Sequence, residues 1–430
     1  MKLLNQLILV MPLLIIVSCH DRPSKITSSD DYDGYLEIKD NEMLQFAMED
    51  FKFWEKKLEK EPDQFPYLAK AAASQSQIFS RTGHIEALIK AEENLKQANV
   101  LTKFNKSGYL RALARNYISQ HRFKESLELL KKAEANGEAL KATQKMLFDV
   151  YLELGSYQLA KSYLDKISDD SDFDYLIRLS KWSDHRGNLD AAIRYMEQAK
   201  VIAESSNVPP TKQWVYTNLA DYYGHAGNIQ ASYTHYLKAL KLDPSDAYAK
   251  KGIAWIVYSH EKNADEALRI LNAVTKNYNA PDYYLLKAEI AEYKQDLDLK
   301  NEQLRLYDLA MQNKLYGDMY NKYNALLLAE ENESASLALK IANEEIENRP
   351  TAQSYDLLAW THFKNGNLDR ALEIVESYVN EKTFEPEVLY HVAEIYKSTG
   401  KIDESKRLKK ELLESTFELG PLMEKSIHKI

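Results

Sequence analysis

One pattern recurs ten times between residues 65 and 415: an amphipathic helix, a tight turn holding Gly or Asn, then a second amphipathic helix. Its plainest copies are LADYYGHAGNIQASYTHYLKALKLDP (219–244), LAWTHFKNGNLDRALEIVESYV (358–379) and MLFDVYLELGSYQLAKSYLDKI (146–167). A repeat of roughly 34 residues means a stack of helix pairs, because one pair cannot bury its apolar face alone. The pattern therefore predicts an all-α solenoid that grows in one dimension, and 430 residues do not have to divide into several globular domains. With only 13 Gly and 11 Pro, the composition leaves little room for a β-rich or disordered architecture.

The register follows from the small residue early in each second helix. It falls at Leu88, Ser126, Ala160, Ala192, Ser232, Ala267, Lys300, Ala338, Ala371 and Ser405, in steps of 32 to 40 residues. Small residues let the paired helices approach, while Tyr, Leu and Phe at helical spacing fill the gap to the next pair. Tyr117, Tyr151, Tyr236 and Tyr396 read as core on this basis, as do Tyr109 and Tyr223. Leu88 and Lys300 break the small-residue rule, and Glu261–Asp265 reads as a short insertion in a turn, so those units are expected to be distorted.

Gly155 with Ala160, Gly187 with Ala192, and Gly366 with Ala371 carry a turn glycine and a packing alanine at one fixed separation. In this the chain resembles the tetratricopeptide repeat family, whose fold is an α-α superhelix. The resemblance covers roughly residues 65–415. It implies a concave groove lined by positions 2, 5, 9, 12 and 13 of each first helix. Transferred to this chain, those positions give Arg111 and Arg115 in repeat 2, Lys145 in repeat 3 and Lys181 in repeat 4. Arg111 and Arg115 are four apart, hence on one helical face. The four cations form an expected basic strip for a carboxylate or an acidic peptide. Trp214 and Trp360 fall at groove positions too, as candidate anchors for a partner or, equally, as packing between units. The two-asparagine clamp of chaperone-binding relatives is not reproduced, since Gln77 and Asp149 stand at those places.

The N-terminus carries a different message. Lys2 precedes the eleven-residue apolar stretch Leu7–Val17, interrupted only by Pro12, then Ser18 and Cys19, the one cysteine in the chain. Eleven residues are too few to span a bilayer, which takes about 20, so the segment reads as an export signal. Ile16-Val17-Ser18-Cys19 resembles a bacterial lipobox. That resemblance implies cleavage before Cys19, acylation of its thiol and permanent membrane anchoring. The expected organisation is a signal peptide over 1–18, a flexible polar tether over 19–40, an N-terminal helix over 41–64, the solenoid over 65–415 and a capping segment over 416–430. Stretches such as WEKKLEKEPD (54–63) and APDYYLLKAEIAEYK (280–294) are similar to tetratricopeptide lipoproteins of Bacteroidetes, which implies the outer membrane of a Gram-negative envelope.

No catalytic spacing emerges. There is no His-Glu-x-x-His helix, no Gly-rich phosphate loop and no Gly-x-Ser-x-Gly elbow. His225 and His235 sit on different helices of one unit, with surface histidines the simpler reading than a metal pair. The acidic runs 29–33 and 168–172 lack the Gly-centred loop of an EF-hand. A net charge of −9 gives the chain no electrostatic reason to seek nucleic acid. The sequence thus points to a lipid-anchored, non-enzymatic scaffold without cofactor, holding a protein or peptide partner in its groove. A glycan- or nutrient-binding lipoprotein beside a transporter is the alternative.

Overall fold

The computed structural model describes residues 25–37, 41–331 and 334–430; the signal segment and Cys19 lie outside them. The described residues are 79% helical with no strand. Two helices, α1 (Ser29–Leu36) and α2 (Glu42–Lys60), precede ten helix pairs. Units 1 to 4 are α3 (Phe65–Thr82) with α4 (Ile85–Leu101), α5 (Ser107–Ser119) with α6 (Phe123–Asn136), α7 (Leu140–Glu153) with α8 (Tyr157–Lys166), and α9 (Phe173–His185) with α10 (Leu189–Ser206). Units 5 to 7 are α11 (Pro209–His225) with α12 (Ile229–Leu242), α13 (Ala247–Trp255) with α14 (Ala264–Val274), and α15 (Asp282–Tyr293) with α16 (Leu297–Met311). Units 8 to 10 are α17 (Asn321–Ala329) with α18 (Ala335–Asn348), α19 (Ala352–Lys364) with α20 (Leu368–Ile374), and α21 (Pro386–Ser398) with α22 (Ile402–Glu414). A last helix, α23 (Thr416–Ile427), is kinked at Gly420-Pro421.

The turn chemistry explains why each pair folds back on itself. Gly187 and Gly227 take φ near +72°, the left-handed conformation that ends a helix, and the Asn that follows caps the next one. Asn188 accepts the Ala191 amide at 3.0 Å and Asn228 accepts the Ala231 amide at 3.2 Å. Ala160, Ala192, Ala267, Ala338 and Ala371 are fully buried between paired helices. At two of the serine positions the hydroxyl is satisfied within the pair: Ser126 donates to the Ala114 carbonyl at 3.1 Å and Ser405 to that of Ala393 at 2.8 Å. Leu88 and Lys300 are the exceptions: Leu88 is buried, and Lys300 is half-buried and paired with Glu292 at 2.8 Å. The expected irregularity near residue 261 is a π-helical turn, Ile256–His260, which takes up extra length at the end of α13.

The units do more than stack. Each turn of units 1 to 5 meets the loop that follows the unit five further along, so successive coils of the superhelix touch. The Asn279 amide donates to Thr82 O at 2.9 Å, beside Gly83. His121 lies in a small cleft with Gly317 and Asp318. Gly155 backs onto Pro350, Gly187 onto the Phe384 ring and Gly224 onto the Phe417 ring. Arg349 clamps this seam, with Glu153 at 3.0 Å and the Phe123 ring 5.1 Å away.

Both ends of the chain depart from their expected roles. The flexible tether expected over 19–40 is not what residues 25–37 show. Tyr32 is 2% exposed and belongs to the core of units 4 to 7, and its hydroxyl donates to Glu266 at 2.6 Å. One buried aromatic ring, worth about 2 kcal/mol, outweighs the polar composition of that segment. The C-terminal helix α23 packs against unit 10 and also crosses the seam. Phe417 O accepts from Trp255 Nε1 at 3.0 Å and from Ser259 Oγ at 2.6 Å.

The glycines of the seam separate two effects. Gly155 and Gly366 share a positive φ, but a Cβ on Gly155 would sit 2.7 Å from Pro350 O, while one on Gly366 meets nothing within 4 Å. Gly366→Ala should cost about 1 kcal/mol from backbone strain. Gly155→Ala should cost a further ~1–3 kcal/mol from overpacking the seam. Equal urea midpoints for the two variants would show that the coils do not press together at Gly155.

Candidate functional site

The expected basic strip exists in sequence, but the fold spends most of it on the array itself. Arg111, on α5, donates to Glu138 O at 2.9 Å and Thr143 Oγ1 at 3.1 Å, and burial lowers its pKa. Lys145 on α7 lies between Asp172 at 2.7 Å and Asp174 at 2.9 Å. Lys181 on α9 pairs with Glu153 at 2.9 Å, and next to it Arg178 pairs with Asp149 at 2.6 Å. These pairs join neighbouring first helices, so most of the strip is a ladder that ties units 2 to 4 together. Arg115 is exposed and forms no ion pair among the described residues. Trp214 is 42% exposed, edge-on to Phe173.

Trp360 corrects the expectation of a groove anchor. It is 8% exposed, stacked on the His391 ring at 4.0 Å and on Phe363 at 5.0 Å. His391 in turn holds Asp356 at 2.7 Å, both almost fully buried. The indole therefore shields a buried hydrogen bond between units 9 and 10 and offers no face to a partner. The two histidines of unit 5 also part company. His235 Nδ1 bonds Ala231 O at 2.8 Å, while His225 faces Glu418 of α23 at 3.9 Å. Among the described residues, no group of three or more His, Cys, Asp or Glu is placed to hold a metal.

The open volume lies elsewhere, between the first helices of units 5 to 8 and the second helix of unit 7. A cavity of about 860 Å³ has a floor of Leu285, Leu304, Leu326 and Leu327, with Trp255 at one side. Seven carboxylates and two lysines surround that floor. Three of the carboxylates are neutralised: Asp282 by Lys251 at 3.0 Å, Glu292 by Lys300 at 2.8 Å and Glu330 by Lys364 at 2.7 Å. Asp221, Glu289 and Asp308 have no cationic partner among the described residues. Asp221 instead accepts the hydroxyls of Tyr236 and of Tyr248, the latter at 2.7 Å, and Glu289 accepts that of Tyr258 at 3.1 Å.

Burial raises the pKa of all three groups, and Glu289 reaches about 7. Glu292 and Glu387 add like-charge repulsion to the burial of Glu289, and the Tyr258 hydroxyl opposes it. Carboxylates held in partly desolvated surroundings without a counter-ion are poised to accept a cation. A second cavity, about 360 Å³, spans the seam between units 3–4 and 8–10. It is already bridged by ion pairs, Arg349 with Glu153 and Lys322 with Glu387 at 2.5 Å.

The tetratricopeptide repeat profile matches residues 215–246, which span most of unit 5. The fold is a tetratricopeptide-repeat solenoid. No curated protein matches the chain in sequence. Among solved structures it is similar to PilF of Pseudomonas aeruginosa, at 16% identity over 50% of this chain and 96% of that one, with a TM-score of 0.37. It is also similar to YrrB, described as "a TPR protein with an unusual peptide-binding site", at 18% identity over 46% of this chain and 95% of that one, TM-score 0.27. A signal-transduction ATPase with a tetratricopeptide repeat sensor from Pyrococcus horikoshii matches 79% of this chain at 17% identity, TM-score 0.40. In that comparison 54% of the ATPase chain is covered.

Glu289 gives the cavity a measurable signature. Its carboxyl keeps a proton up to about pH 7 in the folded chain, against an ordinary value of 4.5. Between these values the folded state binds a proton that the unfolded state has released. Its contribution to stability therefore falls as pH rises through that window and levels off above it. Glu289→Gln should remove this fall, so the variant gains stability relative to wild type between pH 5 and pH 8. A constant difference in urea midpoint across that range would show that Glu289 titrates as an ordinary carboxylate.

Proposed function

We propose that this solenoid is a lipid-anchored, non-enzymatic scaffold of a Gram-negative envelope, holding a protein or peptide partner in its interior. Arrays of this fold generally serve as interaction scaffolds. The observation that carries the reading is the 860 Å³ cavity of units 5 to 8, with its leucine floor and its carboxylates free of counter-ions. Those features suit an amphipathic segment with Lys or Arg on one side, since a cation entering the cavity gains charge-assisted hydrogen bonds that the protein itself leaves unmade. The docking site therefore moves from the basic strip of units 2 to 4 to the acidic cavity, and the preferred charge of the partner reverses. Arg115 and Trp214 remain open surface that a long partner would also touch.

Anchoring is supported by the eleven-residue apolar run before Cys19. The outer membrane is the address that fits an envelope scaffold of this kind. Cys19→Ala should move the protein out of the membrane fraction, and a variant that stays there after high-salt washing would remove the anchor from the account. For the cavity, Asp308→Lys with Glu331→Lys places two cations at exposed positions of its lining. This double variant should weaken capture of the partner by about tenfold in pull-downs from solubilised membranes, whereas Arg111→Glu with Arg115→Glu should change it little. The reverse order would return the site to units 2 to 4. A rise in melting temperature with soluble oligosaccharide, and none with cationic peptides, would favour the glycan-binding alternative.

A further inference from the structure

The coil-on-coil seam gives the solenoid two unlike ends. Turns of units 1 to 5 are covered by the next coil; among the described residues the turns of units 6 to 10 meet no further coil and form one rim, bordered at unit 6 by α23 through Lys262 and Glu424 at 2.8 Å. The loops after units 1 to 5 form the opposite rim. α1 starts from the first of these rims. The Ile26 and Thr27 amides donate to the Glu261 carboxylate, in the unit 6 turn, at 2.8 and 2.6 Å. Tyr233 of α12 bonds the Ser28 carbonyl at 3.2 Å and Asp31 at 3.0 Å, and Arg269 of α14 pairs with Asp33. Together with buried Tyr32, these contacts clasp the N-terminal segment to units 5 and 6.

We propose that this clasp fixes how the protein meets the membrane: the rim formed by the turns of units 6 to 10 faces the lipid surface. The inference rests on the anchor at Cys19 proposed above. Seven residue steps separate Cys19 from Ile26, and they reach about 25 Å at most. Without the clasp, the free chain would run 23 residues from Cys19 to Glu42, about 80 Å. A compact body of this length has a radius of gyration of only about 22 Å, so an 80 Å leash would let any face turn to the bilayer. The short leash selects one. Charge is not what selects it, because the rim lysines are already spent: Lys262 on Glu424, Lys294 on Asp265, Lys364 on Glu330 and Lys401 on Glu376.

The test uses the full chain, made with its anchor and reconstituted into phosphatidylcholine vesicles carrying a spin-labelled headgroup. One fluorophore is placed at Asp298→Cys, exposed at the start of α16 beside the unit 7 turn, or at Asp170→Cys, exposed in a loop of the opposite rim. The headgroup label should quench the fluorophore at position 298 several-fold more than that at 170, in low and high salt alike. Combining Tyr32→Ala with Glu261→Ala should erase the contrast while the protein still floats with the vesicles. Arg269→Ala, a milder change on the same clasp, should reduce it. Equal quenching at the two positions in the bound wild type would overturn the orientation and leave the anchor standing. Failure of the wild type to float with vesicles would overturn the anchor, and the orientation with it.

Discussion

The architecture depends on contact between successive coils. In an open solenoid each unit touches only its neighbours, so stability is a sum of local terms. Here the turn of each of the first five units also meets a loop about 195 residues further on, as Gly155 meets Pro350 and Gly187 meets Phe384. These contacts close the first-helix face into an interior. They also explain why so many charged groups there are paired across the array rather than offered to solvent. Arg349 is the clearest case. It follows α18, yet its guanidinium serves unit 3 through Glu153 and unit 2 through Phe123.

That closure decides where function can reside. Units 2 to 4 spend their cations on Asp149, Glu153, Asp172 and Asp174, and the seam cavity beside them is bridged by further ion pairs. The acidic side of units 5 to 8 keeps Asp221, Glu289 and Asp308 without cations around an apolar floor. A partner binding there would not have to break an existing ion pair of these three groups, which is the practical difference between an occupied ladder and an open site. The C-terminal helix borders the same region. Gly420 approaches Glu289 and Trp255 so closely that a Cβ would lie 3.0 Å from each. Seam, cavity and C-terminus are therefore mechanically joined.

Much of the fold was legible because it rests on local rules. Ala160, Ala192 and Ala371 are buried where the register put them, and Tyr117, Tyr151, Tyr236 and Tyr396 are core. What the sequence concealed is non-local. Gly155 and Gly187 have a sufficient local reason to be glycine in their positive φ, so nothing signals that another coil presses on them. The cations of the strip were visible, but their counter-ions lie 27 to 29 residues away. A search for acid–base pairs at nearly one repeat length was the signal available. Tyr32 stands among Ser and Asp, and a polar window outvotes a single aromatic. Trp360 occupies a groove position by phase, yet the buried pair of His391 with Asp356 claims its ring.

The seam is the claim on which the interior, the cavity and the two rims all stand, and one amide reports on it directly. Asn279 lies in the loop between α14 and α15, and its N–H has no acceptor within its own unit; it donates across the coils to Thr82 O at 2.9 Å. Site-resolved hydrogen exchange should find this loop amide strongly protected, while the neighbouring Ala280 amide exchanges quickly. Exchange at Asn279 as fast as at Ala280 would mean that the coils stand apart in solution, and would contradict the closed interior.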